Sequence, residues 1–148
     1  MLPSTRMPAK PARLTKAEYE LLADFRRALR QFLRFSEEAA RAEGLAPQQH
    51  QALLAIKGFP GRERVLVGEL AERLQIRPHS AVGLADRLAA QGHVLRVPDR
   101  ADRRQVYLAL TPRGEAVLER LSAIHREQIR ALGPRIDRLL RHLSLRKG

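Results

Sequence analysis

Apolar residues recur in this chain at alternating spacings of three and four, the period of an amphipathic helix. The first such run follows Thr15, which with Glu18 matches a capping box, and it ends at Gly44. Its mostly apolar stripe consists of Leu22, Phe25, Leu29, Phe32, Ser36 and Ala39. The pattern predicts one long helix near the N-terminus, and the proline-rich residues 1–14 before it are expected to form a flexible arm.

Three shorter helices are predicted in the middle of the chain. The first has Pro47 in its first turn and stops before Gly58. The second is a compact helix over residues 68–74, and the third begins at Pro78 after a tight turn. The inward positions of this last helix are Ala81, Leu84, Ala85 and Leu88. Two short helices joined by a tight turn are typical of a helix-turn-helix, whose second helix offers its exposed face to a DNA major groove.

A two-stranded hairpin is predicted next. The strand-like residues Val94, Leu95 and Val97 come before a turn-prone tip, and Val106, Leu108 and Leu110 alternate after it. Pro98, Asp99 and Asp102 disfavour regular structure between the two segments. Four arginines lie on this hairpin: Arg96, Arg100, Arg103 and Arg104. A projecting basic hairpin beside a helix-turn-helix has the form of a wing, and arginine is attracted to narrow DNA minor grooves.

The C-terminal part is predicted to be helical again. Thr111 caps and Pro112 opens a helix whose stripe is Val117, Leu121, Ile124, Gln128 and Leu132. A break at Gly133 and Pro134 separates it from a final short helix. The expected fold is mainly α, a winged helix-turn-helix with a two-stranded β-wing. The long terminal helices of two chains are expected to interdigitate and to form a homodimer with two-fold symmetry.

Charge and composition narrow the function. The 148 residues contain 28 Lys and Arg against 16 Asp and Glu, a formal net charge of +12, which favours a polyanionic partner. The sequence has no cysteine, no apolar run long enough to span a membrane and no apolar signal-peptide core, so a cytoplasmic protein without membrane contact is expected. It also lacks a phosphate loop, a nucleophile elbow and a metal-binding helix motif, so no enzyme, cofactor or metal site is expected.

The sequence resembles the MarR family of bacterial transcription regulators from about Thr15 to the C-terminus. The resemblance is carried by residues 69–74, by residues 84–88 with the following 91–94, and most specifically by residues 99–114. It implies a dimerisation helix in 15–46, a DNA-binding lobe in 47–111 and C-terminal dimerisation helices in 112–148. It also implies that Asp102 braces the wing and that Arg104 reaches the minor groove.

The other candidate contacts to double-stranded DNA lie on the second helix of the helix-turn-helix and on the wing. They are Arg77, His79, Ser80, Gly83, Arg87, Arg100 and Arg103. Arg77 and Arg87 contact phosphates or bases, or are solvated or paired within the chain. A glycine at position 83 is explained either by close approach of the helix to DNA or by sequence drift that the fold tolerates. Asp86 is expected to pair with a nearby arginine.

Relatives in this family commonly bind aromatic acids or other phenolic compounds between the dimer helices and the winged-helix lobe. Phe25, Phe32, Phe35 and His50 are the corresponding candidates for an effector pocket, although phenylalanines at helical spacing also suit a dimer core. The expected function is an operator-binding regulator, by default a repressor, that a small molecule releases. The alternative is a winged-helix protein that binds nucleic acid without sequence specificity and without an effector, in an architectural role.

Overall fold

The computed structural model describes residues 13–144, so the predicted N-terminal arm lies almost entirely outside the described residues. This part of the chain contains five helices and three strands. In chain order they are α1 (Lys16–Ala42), α2 (Pro47–Lys57), β1 (Arg64–Leu66), α3 (Val67–Leu74), α4 (Pro78–Ala90), β2 (Val94–Pro98), β3 (Val106–Leu110) and α5 (Pro112–Ser144).

The first helix begins where its capping signal predicts. The Thr15 hydroxyl accepts a hydrogen bond from the Glu18 amide at 3.2 Å, and the Glu18 carboxylate accepts one from the Thr15 amide at 3.3 Å. This exchange satisfies amide groups that have no partner inside the helix. Gly44, with a φ of +79°, follows the end of the helix in the left-handed region. The capping-box prediction is therefore confirmed.

The helix-turn-helix consists of α3 and α4. Between the two helices Gln75 adopts the left-handed conformation, with φ 55° and ψ 45°, and the amide of Ile76 donates to the carbonyl of Ala71 at 3.0 Å. All four residues predicted to face inward on α4 are buried: Ala81, Leu84, Ala85 and Leu88. They pack in the core formed with α2, β1, β3 and the first turns of α5, so α4 turns its opposite face to solvent.

The sheet has three strands where the sequence predicts two. Strand β3 pairs in antiparallel fashion with β2 on one side and with β1 on the other. Val65 in β1 lies opposite Leu108 in β3, and both side chains are buried. Three residues are too few to show an alternating pattern, and for that reason the sequence does not reveal β1. Its pairing ties the wing to the segment between α2 and α3.

The C-terminal region is one helix and not two, so the predicted break at Gly133 and Pro134 is wrong. A proline inside a helix leaves the carbonyl four residues earlier without a donor, here that of the exposed Arg130, where water is available. The residue before a proline normally avoids helical angles because its Cβ meets the proline ring, and Gly133 has no Cβ. Beyond the proline, Leu139 is still buried, and α5 continues to pack along α1.

The apolar face of α5 differs in part from the predicted stripe. Val117 and Leu121 are buried as expected, but the next buried position is His125, while Ile124 is 43% exposed. Further large apolar side chains on α1 and α5 are exposed in the single chain: Tyr19, Leu33, Ile129, Leu140 and Leu143. None of the helices within residues 13–144 combines the length and apolarity needed to cross a membrane.

Candidate nucleic-acid interface and adjoining cavity

The start of α4 presents polar groups to solvent. Arg77 occupies the N-cap position, Pro78 the first turn, and the side chains of Arg77, His79 and Ser80 are exposed. No side chain caps this end of the helix. Amide groups at such a helix start and the short side chains beside them are suited to hydrogen bonding with an anion or a base edge.

One helical turn further along α4, Gly83 and Arg87 lie on the same face. A Cβ built on Gly83 would lie 3.6 Å from a terminal guanidinium nitrogen of Arg87, which is an ordinary van der Waals contact. Packing within the chain therefore does not require glycine at position 83. The arginine lies over the glycine and extends the basic surface of α4.

Asp86 lies on the exposed side of α4 and forms an ion pair with Arg96 of β2. The prediction that an arginine of the same chain neutralises Asp86 is confirmed. This contact joins the helix to the wing and holds Arg96 against α4. The other three arginines of the wing lie at its tip.

Two aspartates accept hydrogen bonds from backbone amides in the loop between β2 and β3, the tip of the wing. The Asp99 carboxylate accepts from the Ala101 amide at 3.2 Å, and the Asp102 carboxylate accepts from the Arg104 amide at 3.0 Å. The same Asp102 oxygen lies 3.6 Å from Nε of Arg104, whose side chain is 95% exposed. Asp102 thus contacts both the backbone amide and the guanidinium group of Arg104, which limits the conformational freedom of that side chain.

Arg100 and Arg103 are the other two basic side chains at the tip, and both are exposed. They line a shallow surface depression together with Pro98 and Asp99. The tip therefore carries three exposed arginines, of which Arg104 lies closest to a supporting carboxylate through Asp102. The structure thus places Arg100, Asp102, Arg103 and Arg104 together on the loop between β2 and β3, whereas Arg96 lies on β2 itself.

The base of the wing is fixed to the start of α5. The Thr111 hydroxyl donates to the Gly92 carbonyl at 2.5 Å and accepts from the Gly114 amide at 3.1 Å. The Thr111 amide donates to the His93 carbonyl at 3.0 Å. These bonds link the segment between α4 and β2 to the segment between β3 and α5 and to the first turn of α5.

A cavity of about 430 Å³ lies between α1, α2 and α5. Its apolar wall includes Phe32, Leu54 and Ile129, and its polar groups include His50 and His125. Volumes of this order are typical of small-molecule sites. Two arginines of α5, Arg126 and Arg130, also line it.

The two histidines of the cavity are in contact. Their ring centroids are 4.9 Å apart, and each residue is less than a tenth exposed. His125 is held by two hydrogen bonds, from Nδ1 to the Leu121 carbonyl at 2.6 Å and between Nε2 and the Ser36 hydroxyl at 2.7 Å. Nδ1 of His50 is buried without a hydrogen-bond partner. Burial, and secondarily the adjacent His125, lowers the pKa of His50.

The predicted pocket residues separate into two groups. Phe32 and His50 line the cavity, and Phe35 packs edge-on against His125 at a centroid distance of 5.6 Å. Phe25 is half-buried on α1 and does not line this cavity. His125 was not among the residues that the sequence suggested for the pocket. Its position four residues after Leu121, on the same face of the helix, is the sequence feature that could have indicated it. No group of three or more metal-ligating side chains occurs within residues 13–144.

Comparison with known proteins agrees with this architecture. A family profile described as the MarR family matches residues 43–105, which cover α2 to the wing tip. The match spans fewer than half of the 148 residues, so the chain is similar to the MarR family over this segment. The matched profile describes transcription regulators and not enzymes, which agrees with the expectation from the sequence.

Two curated proteins and one solved structure illustrate the similarity. The transcriptional activatory protein BadR of Rhodopseudomonas palustris is 37% identical over 84 residues, 57% of this chain and 48% of BadR. The HTH-type transcriptional repressor MdtR of Bacillus subtilis is 30% identical over 86 residues, 58% of this chain and 54% of MdtR. The matched segments thus span about half the length of each of these two relatives.

The solved structure is that of Bordetella bronchiseptica BpsR, whose description concerns the regulation of its DNA binding by 6-hydroxynicotinic acid. It superposes with a TM-score of 0.59 at 23% identity and covers 91% of this chain and 98% of BpsR. At this identity the likeness shows the fold. The predicted winged helix-turn-helix with long terminal helices is confirmed, with the third strand as an addition.

Proposed function

We propose that this protein is a homodimeric transcription regulator that binds a pseudo-palindromic operator. The observation that carries the proposal is the joint exposure, on one lobe, of the first turns of α4 and of the Asp102-braced Arg104. The α4 helices of a dimer would enter successive major grooves, and the wings would enter the flanking minor grooves. The net charge of +12 supports the same partner.

Dimerisation through α1 and α5 is part of the proposal. These helices expose Tyr19, Ile129 and Leu140 at 58%, 54% and 57% in the single chain. Large apolar side chains exposed together on two packed helices favour a protein interface. A two-fold axis through this interface would set the distance between the two α4 helices and so the spacing of the operator half-sites.

We propose repression as the direction of regulation, because a dimer bound across successive grooves blocks access to the promoter. The curated relatives are named for opposite directions, one as an activatory protein and one as a repressor. A reporter gene behind the selected operator distinguishes the two. Deleting the regulator raises expression if it represses and lowers expression if it activates. The cytoplasm is the proposed compartment, where the protein meets its DNA.

We propose that a small-molecule effector binds in the cavity between α1, α2 and α5 and thereby releases the protein from DNA. The cavity joins the proposed dimer helices to α2, and α5 is tied to the wing through Thr111. A ligand that prefers one arrangement of these helices would shift the spacing of the two recognition surfaces. The description of BpsR, in which an aromatic acid regulates DNA binding, supports this class of control.

The test of the proposed function is selection of genomic DNA fragments by the purified protein, followed by sequencing. We expect enriched fragments that share a pseudo-palindrome with half-sites about one DNA turn apart. The enriched site and a scrambled duplex of equal length are then titrated at physiological salt. Equal affinity for both would contradict operator recognition and would leave a non-specific or architectural nucleic-acid binder.

Gly83→Ala tests how closely α4 approaches DNA. The added methyl group meets only the flexible end of Arg87, so we expect the helix to gain about 0.5–1 kcal/mol of stability from the better helix former. On the groove-facing side the same methyl group is expected to lower operator affinity by roughly tenfold, the cost of one imperfect base contact. Thermal melting and operator titration measure the two effects separately.

The matched control is Gly68→Ala in α3, where an added Cβ has no neighbour within 4 Å. It is expected to leave operator affinity within about twofold, since surface substitutions away from contacts have small effects. If Gly83→Ala binds the operator as tightly as this control, the assignment of that face to the groove is wrong.

A further inference from the structure

Three arginines and two aromatic rings form a continuous stack on the surface of the DNA-binding lobe. Arg73 of α3 and Arg62 of the loop before β1 both lie over the Phe59 ring, with their Cζ atoms 5.0 Å and 4.5 Å from its centroid. Arg62 also lies 5.4 Å from the centroid of Tyr107 in β3, and Arg64 of β1 lies over the same ring at 4.4 Å. We call these five residues the arginine–aromatic stack.

Two cations of the stack are held by aromatic rings and not by carboxylates. Arg62 is paired with Glu69 of α3, whereas the ion pairs within residues 13–144 include neither Arg64 nor Arg73, and both of these side chains are exposed. The carboxylate beside Arg64 in sequence, that of Glu63, pairs with a lysine of α2 instead. A guanidinium that is stacked on a ring keeps its N–H groups at the edge, so it can donate to a phosphate without first breaking an ion pair.

The part of the stack on β1 and β3 lies on the outer face of the sheet. Val65 and Leu108 are opposite each other in these strands, and both are buried in the core that also holds the inward side of α4. Because successive side chains of a strand point to opposite faces, Arg64 and Tyr107 lie on the side away from α4. Tyr107 is the second residue of β3 after the wing tip, so the stack begins close to that tip.

This position determines which DNA the stack can reach. In the proposed complex α4 occupies a major groove, and the wing tip enters the minor groove on its outer side, farther from the two-fold axis. A sheet face directed away from α4 then faces the DNA beyond that minor groove. The stack contains three arginines and a single paired carboxylate, so its charge is complementary to the phosphate backbone there.

We propose that Arg64 and Arg73 bind phosphates of the DNA that flanks the operator, with Tyr107 and Phe59 as positioning residues. The inference rests on the proposed function and deepens it, because it extends the DNA interface outward from both wings. Contacts to phosphates carry no sequence information. The added affinity is therefore expected to depend on the length of the flanking DNA and not on its sequence.

The probes are two duplexes that share the selected operator. The short duplex ends at the outer edge of the minor grooves that the wings enter, and the long duplex adds about ten base pairs, one helical turn, on each side. The full-length protein is titrated with both over a range of salt concentrations. We expect it to bind the long duplex about tenfold more tightly and with a steeper salt dependence, since each phosphate neutralised adds about 0.9 to the slope.

Arg64→Gln and Arg73→Gln each remove one cation of the stack and keep a polar side chain. Each is expected to reduce the gain from the longer duplex from about tenfold to about threefold, and to lower the salt slope on the long duplex. Arg34→Gln is the matched control, because it removes the same formal charge from an exposed position on α1. We expect this control to keep the full gain.

Tyr107→Leu tests whether the ring positions Arg64. The variant keeps every charge and an apolar side chain in the sheet but removes the aromatic face, whereas Tyr107→Phe keeps that face. We expect the gain to fall roughly two- to threefold in Tyr107→Leu and to persist in Tyr107→Phe, since cation–π contacts at exposed sites are individually weak. Equal gains in the two variants would contradict positioning by the ring. If Tyr107→Leu does not fold, the two variants at exposed arginines decide.

Two results would overturn the inference. They are equal affinity of the native protein for the short and long duplexes, and a full gain in folded Arg64→Gln and Arg73→Gln variants. Either result would leave the stack to a different occupant, such as an acidic segment of another protein. Operator recognition is tested separately, by the short duplex against a scrambled duplex of the same length. Equal binding of those two would contradict the proposed function, whereas specific binding without a gain from longer DNA would contradict the flanking contact alone.

Discussion

Arg104→Ala is expected to weaken operator binding by about 100-fold while leaving dimerisation and helical content unchanged. The side chain is 95% exposed, and its one ion pair within residues 13–144 is with Asp102, so its removal is expected to cost little stability. A dimer loses two such groups, and each groove contact by arginine is worth about 1–3 kcal/mol. Titration of the selected operator at fixed salt measures the loss.

Arg34→Ala is the matched control for charge. Arg34 lies on α1, its side chain is 83% exposed, and its only ion pair in the described structure is with Glu38 one helical turn away. The variant loses the same formal charge as Arg104→Ala, so any general loss of attraction to DNA appears in both. A similar decrease in the two variants would mean that charge and not position explains the effect. Unchanged affinity in Arg104→Ala would remove the residue from the interface.

Asp102→Ala separates bracing from contact. The aspartate holds the Arg104 amide at 3.0 Å and lies 3.6 Å from its Nε, but a carboxylate gains nothing from approaching phosphates itself. Its loss is expected to loosen the tip and to lower operator affinity by about tenfold, less than the loss of the arginine. An equal or larger effect than that of Arg104→Ala would assign the main role to the shape of the loop.

Local patterns predicted most of the recognition lobe correctly, for identifiable reasons. The inward face of α4 follows from residues three and four apart, and the wing follows from strand-like residues before a turn and alternation after it. In both, the residues that determine the structure are close in sequence. The pairing of Asp86 with an arginine was also predictable, because an unpaired carboxylate is unfavourable on a surface that meets phosphates.

The features that the sequence did not reveal depend on distant contacts or on compensation. One helical turn after Leu121 on α5, the apolar Ile124 was the natural candidate for the next buried residue. His125 is buried instead, because the Ser36 hydroxyl of α1 provides a hydrogen bond to its ring. Glycine and proline each disfavour a helix when they occur alone. Here Gly133 lacks the Cβ that would clash with the ring of Pro134, and packing of α5 along α1 maintains the helix.

Among the glycines within residues 13–144, Gly114 is the one where substitution by alanine is expected to be most destabilising. A Cβ at this position would overlap the carbonyl oxygen of His93 and lie 3.1 Å from its carbonyl carbon. Both atoms belong to the backbone, which is held by the hydrogen bond from the Thr111 amide at 3.0 Å, so the clash cannot be relieved by rotating a side chain. Separating the strand from the helix would break the bonds that Thr111 makes to Gly92 and Gly114.

We therefore expect Gly114→Ala to cost about 3 kcal/mol, at the upper end of overpacking effects, and to lower the melting midpoint by roughly 6–12 °C. Gly68→Ala is the control, because its added Cβ is unopposed and helix propensity alone favours a small gain. Circular dichroism melts at equal protein concentration compare the two. A midpoint for Gly114→Ala as high as that of the control would show that α5 can move away from the wing at little cost, and the rigid connection between them would be wrong.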